Sequence, residues 1–199
     1  MNINPFGYVR ATIESIDRYL LDNLSVLRAR DLYEFYRVLF YELKGFFGGS
    51  WGFDGVTEIL IFRVLHHLLG GDAKVVEVTR DLRAFYYPER NVVLGAGLPL
   101  MVGNMRIWPD IVIYEPKENN LVEMEKLRSV IEIKTYPQGG LGAIKREIKR
   151  LDSIHEHYCN SKLALIVYSI NVKFKDFDKF LRLKELFREA GIDVEKFLG

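Results

Sequence analysis

Eight consecutive residues, Leu163-Ala164-Leu165-Ile166-Val167-Tyr168-Ser169-Ile170, carry no charge and read as a strand that is apolar on both sides. Such a strand belongs in the interior of a sheet covered on both faces. The chain around it supplies the covers. Residues 141–158 have helical spacing after Gly139-Gly140, and Arg128 to Tyr136 reads as another strand. Further upstream, Arg106 to Tyr114 reads as a strand, Pro116 to Asn120 as a turn, and Val92 to Val102 as one or two strands broken by glycine and Pro99. Val75 to Val78 is a short strand candidate.

Before residue 70 the texture is helical. Ile13, Ile16, Tyr19, Leu20 and Leu24 recur at helical spacing, as do Leu32, Phe35, Tyr36, Leu39, Phe40 and Leu43. Asp31 and Glu34 have the spacing of a capping box at a second helix start. A turn-rich break follows at Phe46 to Gly52. A third helix then runs from about Gly55 to Leu69, capped by Asp54 and closed by Gly70-Gly71. Asp176 to Ala190 forms a last amphipathic helix, stopped by Gly191. The expected fold is an α/β sandwich around a mixed sheet, spanning 51–199, with residues 1–50 as an N-terminal helical extension. With 49% hydrophobic and 28% charged residues, the chain has material for a sizeable core and is not disordered by composition.

Charge and cysteine content narrow the function classes. A net charge of +1 means that any nucleic-acid surface is a local basic patch. The single cysteine, Cys159, excludes an intrachain disulfide and a cysteine-ligated iron–sulfur cluster. Met1 to Arg10 lacks the pattern of a secretory signal, and no uncharged apolar run approaches the roughly 18 residues of a membrane span. The expectation is a soluble cytoplasmic protein with no membrane partner. His155, His157 and Cys159 lack a convincing fourth zinc ligand. His66 and His67 fit a helix's last turn, where positive charge meets the negative end of the dipole.

Chemistry concentrates in one strand. Acid-x-Lys occurs five times, beginning at Glu42, Asp72, Glu115, Glu132 and Glu147. Only Glu132-Ile133-Lys134 lies within an apolar strand; the others fall in helices or turns. Side chains two apart on a strand share a face, so Glu132 and Lys134 project together while Ile131 and Ile133 enter the core. An acid in mid-sheet is costly unless something uses it. Across the Pro116–Asn120 turn, antiparallel pairing brings Asp110 of Trp108-Pro109-Asp110-Ile111 beside Glu132. Two such carboxylates repel unless a cation joins them, and a hard divalent ion with oxygen ligands is the natural partner. Lys134 could then orient water or neutralise a phosphate.

Pro109-Asp110 followed by Glu132-Ile133-Lys134 on the next strand, then a helix and a buried strand, resembles the PD-(D/E)XK nuclease superfamily. That superfamily includes restriction enzymes, archaeal Holliday-junction resolvases and RecB-like nucleases. The resemblance covers roughly Asp54 to Ile170 and implies a restriction-endonuclease-like fold: a mixed central sheet flanked by helices. It further implies Mg2+, with Mn2+ as substitute, held by Asp110, Glu132 and the backbone carbonyl of Ile133, with Lys134 assisting catalysis. Many members add an acid from the helix before the sheet, a role that Glu58 would fill as a catalytic and metal-binding residue. The helix after the lysine would contact DNA through Lys145, Arg146 and Lys149. The Gln-x-x-x-Tyr pattern of RecB-like exonucleases is missing after Lys134, and no Gly-Lys-Ser/Thr follows the glycines as a phosphate loop would require. The expected protein is a Mg-dependent DNA endonuclease, homodimeric by family analogy. The alternatives are an inactive nucleic-acid-binding or assembly module on the same fold, and an unrelated α/β domain with a surface ion pair. The aromatic N-terminal helices, with Arg28, Arg30 and Arg37, would pack in the core, form a dimer surface or hold DNA.

Overall fold

The computed structural model describes residues 5–28, 30–38, 53–135 and 141–168. The expected break at 46–52, Gly139-Gly140 and the helix at 176–190 lie outside them. Helices α1 (Pro5–Asn23), α2 (30–38) and α3 (Phe53–Leu68) precede the strands β1 (Lys74–Thr79), β2 (Leu82–Tyr87), β3 (Val92–Ala96), β4 (Leu100–Val102), β5 (Met105–Ile107), β6 (Ile111–Lys117) and β7 (Asn120–Thr135). Helix α4 (Leu141–His157) and β8 (Lys162–Tyr168) follow. The main sheet has six strands in the order β1-β2-β3-β6-β7-β8. All its pairs are antiparallel except β7–β8, which is parallel and is joined through α4. This is the mixed α/β sheet expected from the sequence. Among the described residues no helix is long and apolar enough to cross a membrane.

Strand alternation divides the core into two layers. Leu94, Ile111, Ile131 and Ile133 face α3 (Leu60, Ile61, Val64), α1 (Ile16, Leu20) and Tyr36 of α2. Val93, Val112, Val130 and Leu165 face α4 (Ile148, Leu151, Ile154) and the segment Leu98, Leu100 and Val102. The period of two on β7 therefore puts Val130 and Glu132 on the α4 side and Ile131 and Ile133 on the α3 side.

The N-terminal helices are tied to this frame by more than apolar contact. Tyr19 stacks on Phe35 with ring centroids 5.0 Å apart. Arg63 of α3 donates two hydrogen bonds to Asp17 of α1, at 2.6 and 2.7 Å, and His67 lies 3.1 Å from the same carboxylate. His66 meets the Tyr87 hydroxyl at 2.7 Å. The last-turn histidines thus fasten α3 to α1 and β2. Gly70 and Gly71 close α3 as expected: Gly71 N–H donates to His66 O and Gly70 N–H to His67 O, with φ of 116° at Gly70. The start of α2 differs in register from the sequence reading. Arg28 N–H donates to the Asp31 carboxylate at 2.9 Å, so Asp31 takes the third-residue role of a capping box rather than the cap itself.

Three features of the sheet depart from the sequence reading. Strand β2 was not anticipated, because the Arg80-Asp81 turn carries no glycine or asparagine signal. The expected strand from Arg106 to Tyr114 is two strands, separated at Trp108-Pro109-Asp110. Proline has no N–H for a ladder, and β5 folds back on β4 as a separate two-stranded sheet turning at Gly103-Asn104. Strand β7 starts at Asn120 rather than Arg128. Its first half is charged and partly exposed, and three register irregularities against β6 mask the alternation there.

Gly95 sits in β3 where a methyl group would lie 2.2 Å from Leu98 Cδ1. Leu98 is buried in the α4-side core and fixes the turn that leads into β4. Gly95→Ala should therefore displace Leu98 and destabilise the fold by about 1–3 kcal/mol. A thermal melt showing no loss of stability would contradict that packing.

Candidate active site

The site begins with strand register. Ile111 pairs with Ile131, so the next position outward sets Asp110 opposite Glu132. Asp110 is held there on both sides of its backbone. Its carbonyl accepts from Gly97 N–H at 2.9 Å, and its carboxylate accepts from Ile133 N–H at 2.6 Å. Pro109 beside it is buried. Asp110 and Glu132 are thus brought together as the sequence predicts, and the Ile133 N–H serves to orient Asp110.

Glu132 is a fully buried acid. Its side chain is 1% exposed, inside a strand flanked by β6 and β8. Its Oε1 accepts from Arg150 Nη2 at 2.5 Å, while its Oε2 is buried with no hydrogen-bond partner among the described residues. Burial first, and the neighbouring Asp110 carboxylate second, push its carboxyl up to about 8; Arg150 pulls the other way without prevailing.

Helix α4 closes the site with Glu147, a helical acid-x-Lys acid, and Arg150, which the sequence places beside the basic face of that helix rather than on Glu132. Glu147 and Arg150 are three apart and share a helical face. Arg150 reaches Glu132, the Trp108 carbonyl at 2.7 Å and Glu147 at 3.3 Å, and its Nε is buried without a partner. Glu147 also lies 3.6 Å from Lys134 Nζ. Lys134, 28% exposed, stands at the rim on the same side as Glu132. Glu147-Ile148-Lys149 is one of the helical acid-x-Lys triplets set aside above. The signal available was its helical spacing to Arg150, which becomes informative only once α4 is known to cross Glu132.

The remaining predicted residues lie elsewhere. Glu58 is half-buried near the start of α3, in the layer packed on the opposite sheet face from Glu132. Among the described residues, no three His, Cys, Asp or Glu side chains form a metal-holding group. Lys145, Arg146 and Lys149 stand exposed on α4, with Arg146 one turn before Arg150 on the same flank. His155, His157 and Cys159 are exposed at the far end of that helix.

A carboxyl raised from 4.5 to about 8 has a sign in stability. Between those values the folded protein keeps the Glu132 proton and the unfolded chain has lost it. Folding stability then falls as pH rises, by up to about 1.4 kcal/mol per pH unit. In chelator, Glu132→Gln should match the wild type near pH 4.5, exceed it at pH 8 by a few kcal/mol, and flatten the slope between. Denaturant titrations with the same slope in both proteins would exclude Glu132 as the responsible group. Comparison of the chain with family models, curated proteins and solved structures finds no match.

Proposed function

We propose that this chain is a metal-dependent nuclease of the PD-(D/E)XK type, with a restriction-endonuclease-like fold, that hydrolyses DNA phosphodiesters at Asp110, Glu132 and Lys134. The observation that carries the reading is the buried, unsatisfied Glu132 Oε2 beside a second carboxylate. A divalent cation fits this donor set. It would relieve the repulsion that raises the Glu132 carboxyl and give the orphaned oxygen a partner. Mg2+ or Mn2+ would be held by Asp110 and Glu132, with the Ile133 carbonyl contributed as the resemblance implies. When bound, the ion would supply Lewis acidity at a phosphate and acidify a water.

The protein's own groups supply the rest. Ile133 N–H fixes the Asp110 carboxylate, so the pair is organised before substrate arrives. Lys134 presents an ammonium at the rim, held toward Glu147, where it can neutralise charge growing on a phosphate. Lys145, Arg146 and Lys149 are exposed and positioned to take backbone phosphates. Homodimerisation, and a place for Glu58 in the site, belong to this reading by resemblance alone.

Arg150 favours a second reading. Its guanidinium already occupies Glu132 Oε1, as it would in an inactive binding or assembly module that replaced a metal by an internal ion pair. Calorimetric titration with Mg2+ and Mn2+ separates the two. The nuclease binds either ion with a stoichiometry near one per chain, and Asp110→Ala or Glu132→Ala removes both the binding heat and cleavage while DNA binding persists. Lys134→Ala should keep metal affinity and lose about 10²–10³ in cleavage rate, the usual worth of one transition-state charge. Wild-type protein that binds no metal and cuts neither branched, duplex nor single-stranded DNA belongs to the second reading.

A further inference from the structure

The β4–β5 hairpin sends an unusual set of side chains into solvent. Its inner residues Leu100 and Val102 are buried against α4, while Met101, Met105 and Trp108 are exposed, Trp108 at 54%. Arg106 stands directly across the ladder from Met101, and its guanidinium lies 5.5 Å from the centroid of the Trp108 ring. The hairpin is anchored as well as exposed: Tyr158 donates to the Met101 carbonyl at 2.6 Å.

Trp108 is fixed at its backbone, not at its ring. Buried Pro109 follows it, which holds Trp108 in extended conformation. Its carbonyl accepts from Arg150 Nη2, the same nitrogen that donates to Glu132 Oε1. The peptide of Trp108 and the carboxylate of Glu132 are therefore separated by a single guanidinium nitrogen. An indole on a rigid backbone, beside a cation and next to paired carboxylates, costs exposed apolar area that a structural role does not require.

We propose that Trp108, backed by Arg106, is a stacking platform for an unpaired nucleobase, so that the nucleic acid presented to this site is single-stranded or frayed rather than continuous duplex. The chemistry selects that partner. A base inside a duplex has both faces covered, whereas an unpaired base offers one to an exposed ring. Arg106 supplies positive charge for the adjoining phosphate, and Arg146 stands on the flank of α4 that carries Arg150. A second copy of this chain would need a partner surface for Arg106 among the methionines, and nothing in the hairpin is complementary to itself in charge. The proposal rests on the nuclease reading only for the position of the cleaved bond; strand binding by Trp108 stands without it.

The test uses the full chain in chelator with three DNA probes of one sequence: a single strand, a blunt duplex, and that duplex carrying a single-stranded tail. Strand and tailed duplex should quench tryptophan fluorescence in the wild type. Trp108→Ala should weaken binding of both by about tenfold or more and leave the blunt duplex within about twofold. Trp108→Phe, which keeps a ring, should restore most of the affinity, and melts of both variants should match the wild type because the side chain is exposed. Equal losses on all three probes, or none, overturn the proposal. So does a change of oligomeric state in Trp108→Ala with strand binding intact, since the hairpin would then be a self-association surface. Cleavage that survives Glu132→Gln while strand binding still depends on Trp108 sinks the nuclease reading and spares the platform. Absence of any DNA binding by the wild type sinks both.

Discussion

A carboxylate placed between two apolar layers is the constraint from which the rest of this molecule can be understood. Glu132 sits in mid-strand, with neighbouring strands on either side and α4 above it. Its charged form has lost its water and faces a second acid across the β6–β7 ladder. Leaving a buried charge uncompensated costs several kcal/mol, so the surroundings must supply positive charge. They do so with Arg150 of α4. That single pairing ties β7 to α4, and through the Trp108 carbonyl it also pins the segment between β5 and β6. Three elements distant in sequence are thereby joined at one guanidinium, and the join leaves an oxygen and a nitrogen buried without partners among the described residues.

The parts legible in the sequence were those governed by local periodicity. The period of two in Ser129 to Tyr136 assigns Glu132 and Lys134 to one face, and the structure has that face toward α4. The proline before Asp110 and the turn after Lys117 set two strands side by side, and the register follows. What failed had physical reasons. The Arg80-Asp81 hairpin lacks the glycine or asparagine that usually marks such turns, so β2 was invisible. The outer half of β7 pairs through bulges and is charged, so its alternation is broken. Pro109 ends one hairpin and opens the next, so the single strand expected from Arg106 to Tyr114 is two. The pairing of Glu147 and Arg150 with β7 is hidden in the sequence for a different reason. Their meaning depends on the crossing of α4 over β7, a tertiary fact that no local window contains.

Charge is distributed unevenly on a chain that is nearly neutral overall. Acids collect where β6, β7 and α4 meet, and exposed bases collect on α4 and the β4–β5 hairpin around them. A polyanion approaching such a surface is attracted at the rim and repelled at the centre unless a cation lies there. The two readings offered for the site differ only in which cation that is, an amino-acid side chain or a divalent ion. The basic rim serves either.

The far border of the sheet carries a separate consequence. Strand β1 pairs on one side only, and its open side is short, bears Lys74 and Glu77, and is distorted by the irregularity at Val78. These features discourage another strand from adding there. Growth of the sheet from one molecule to the next is therefore disfavoured at this border. A chain rich in β-branched and aromatic strands is in this way guarded against strand addition along β1.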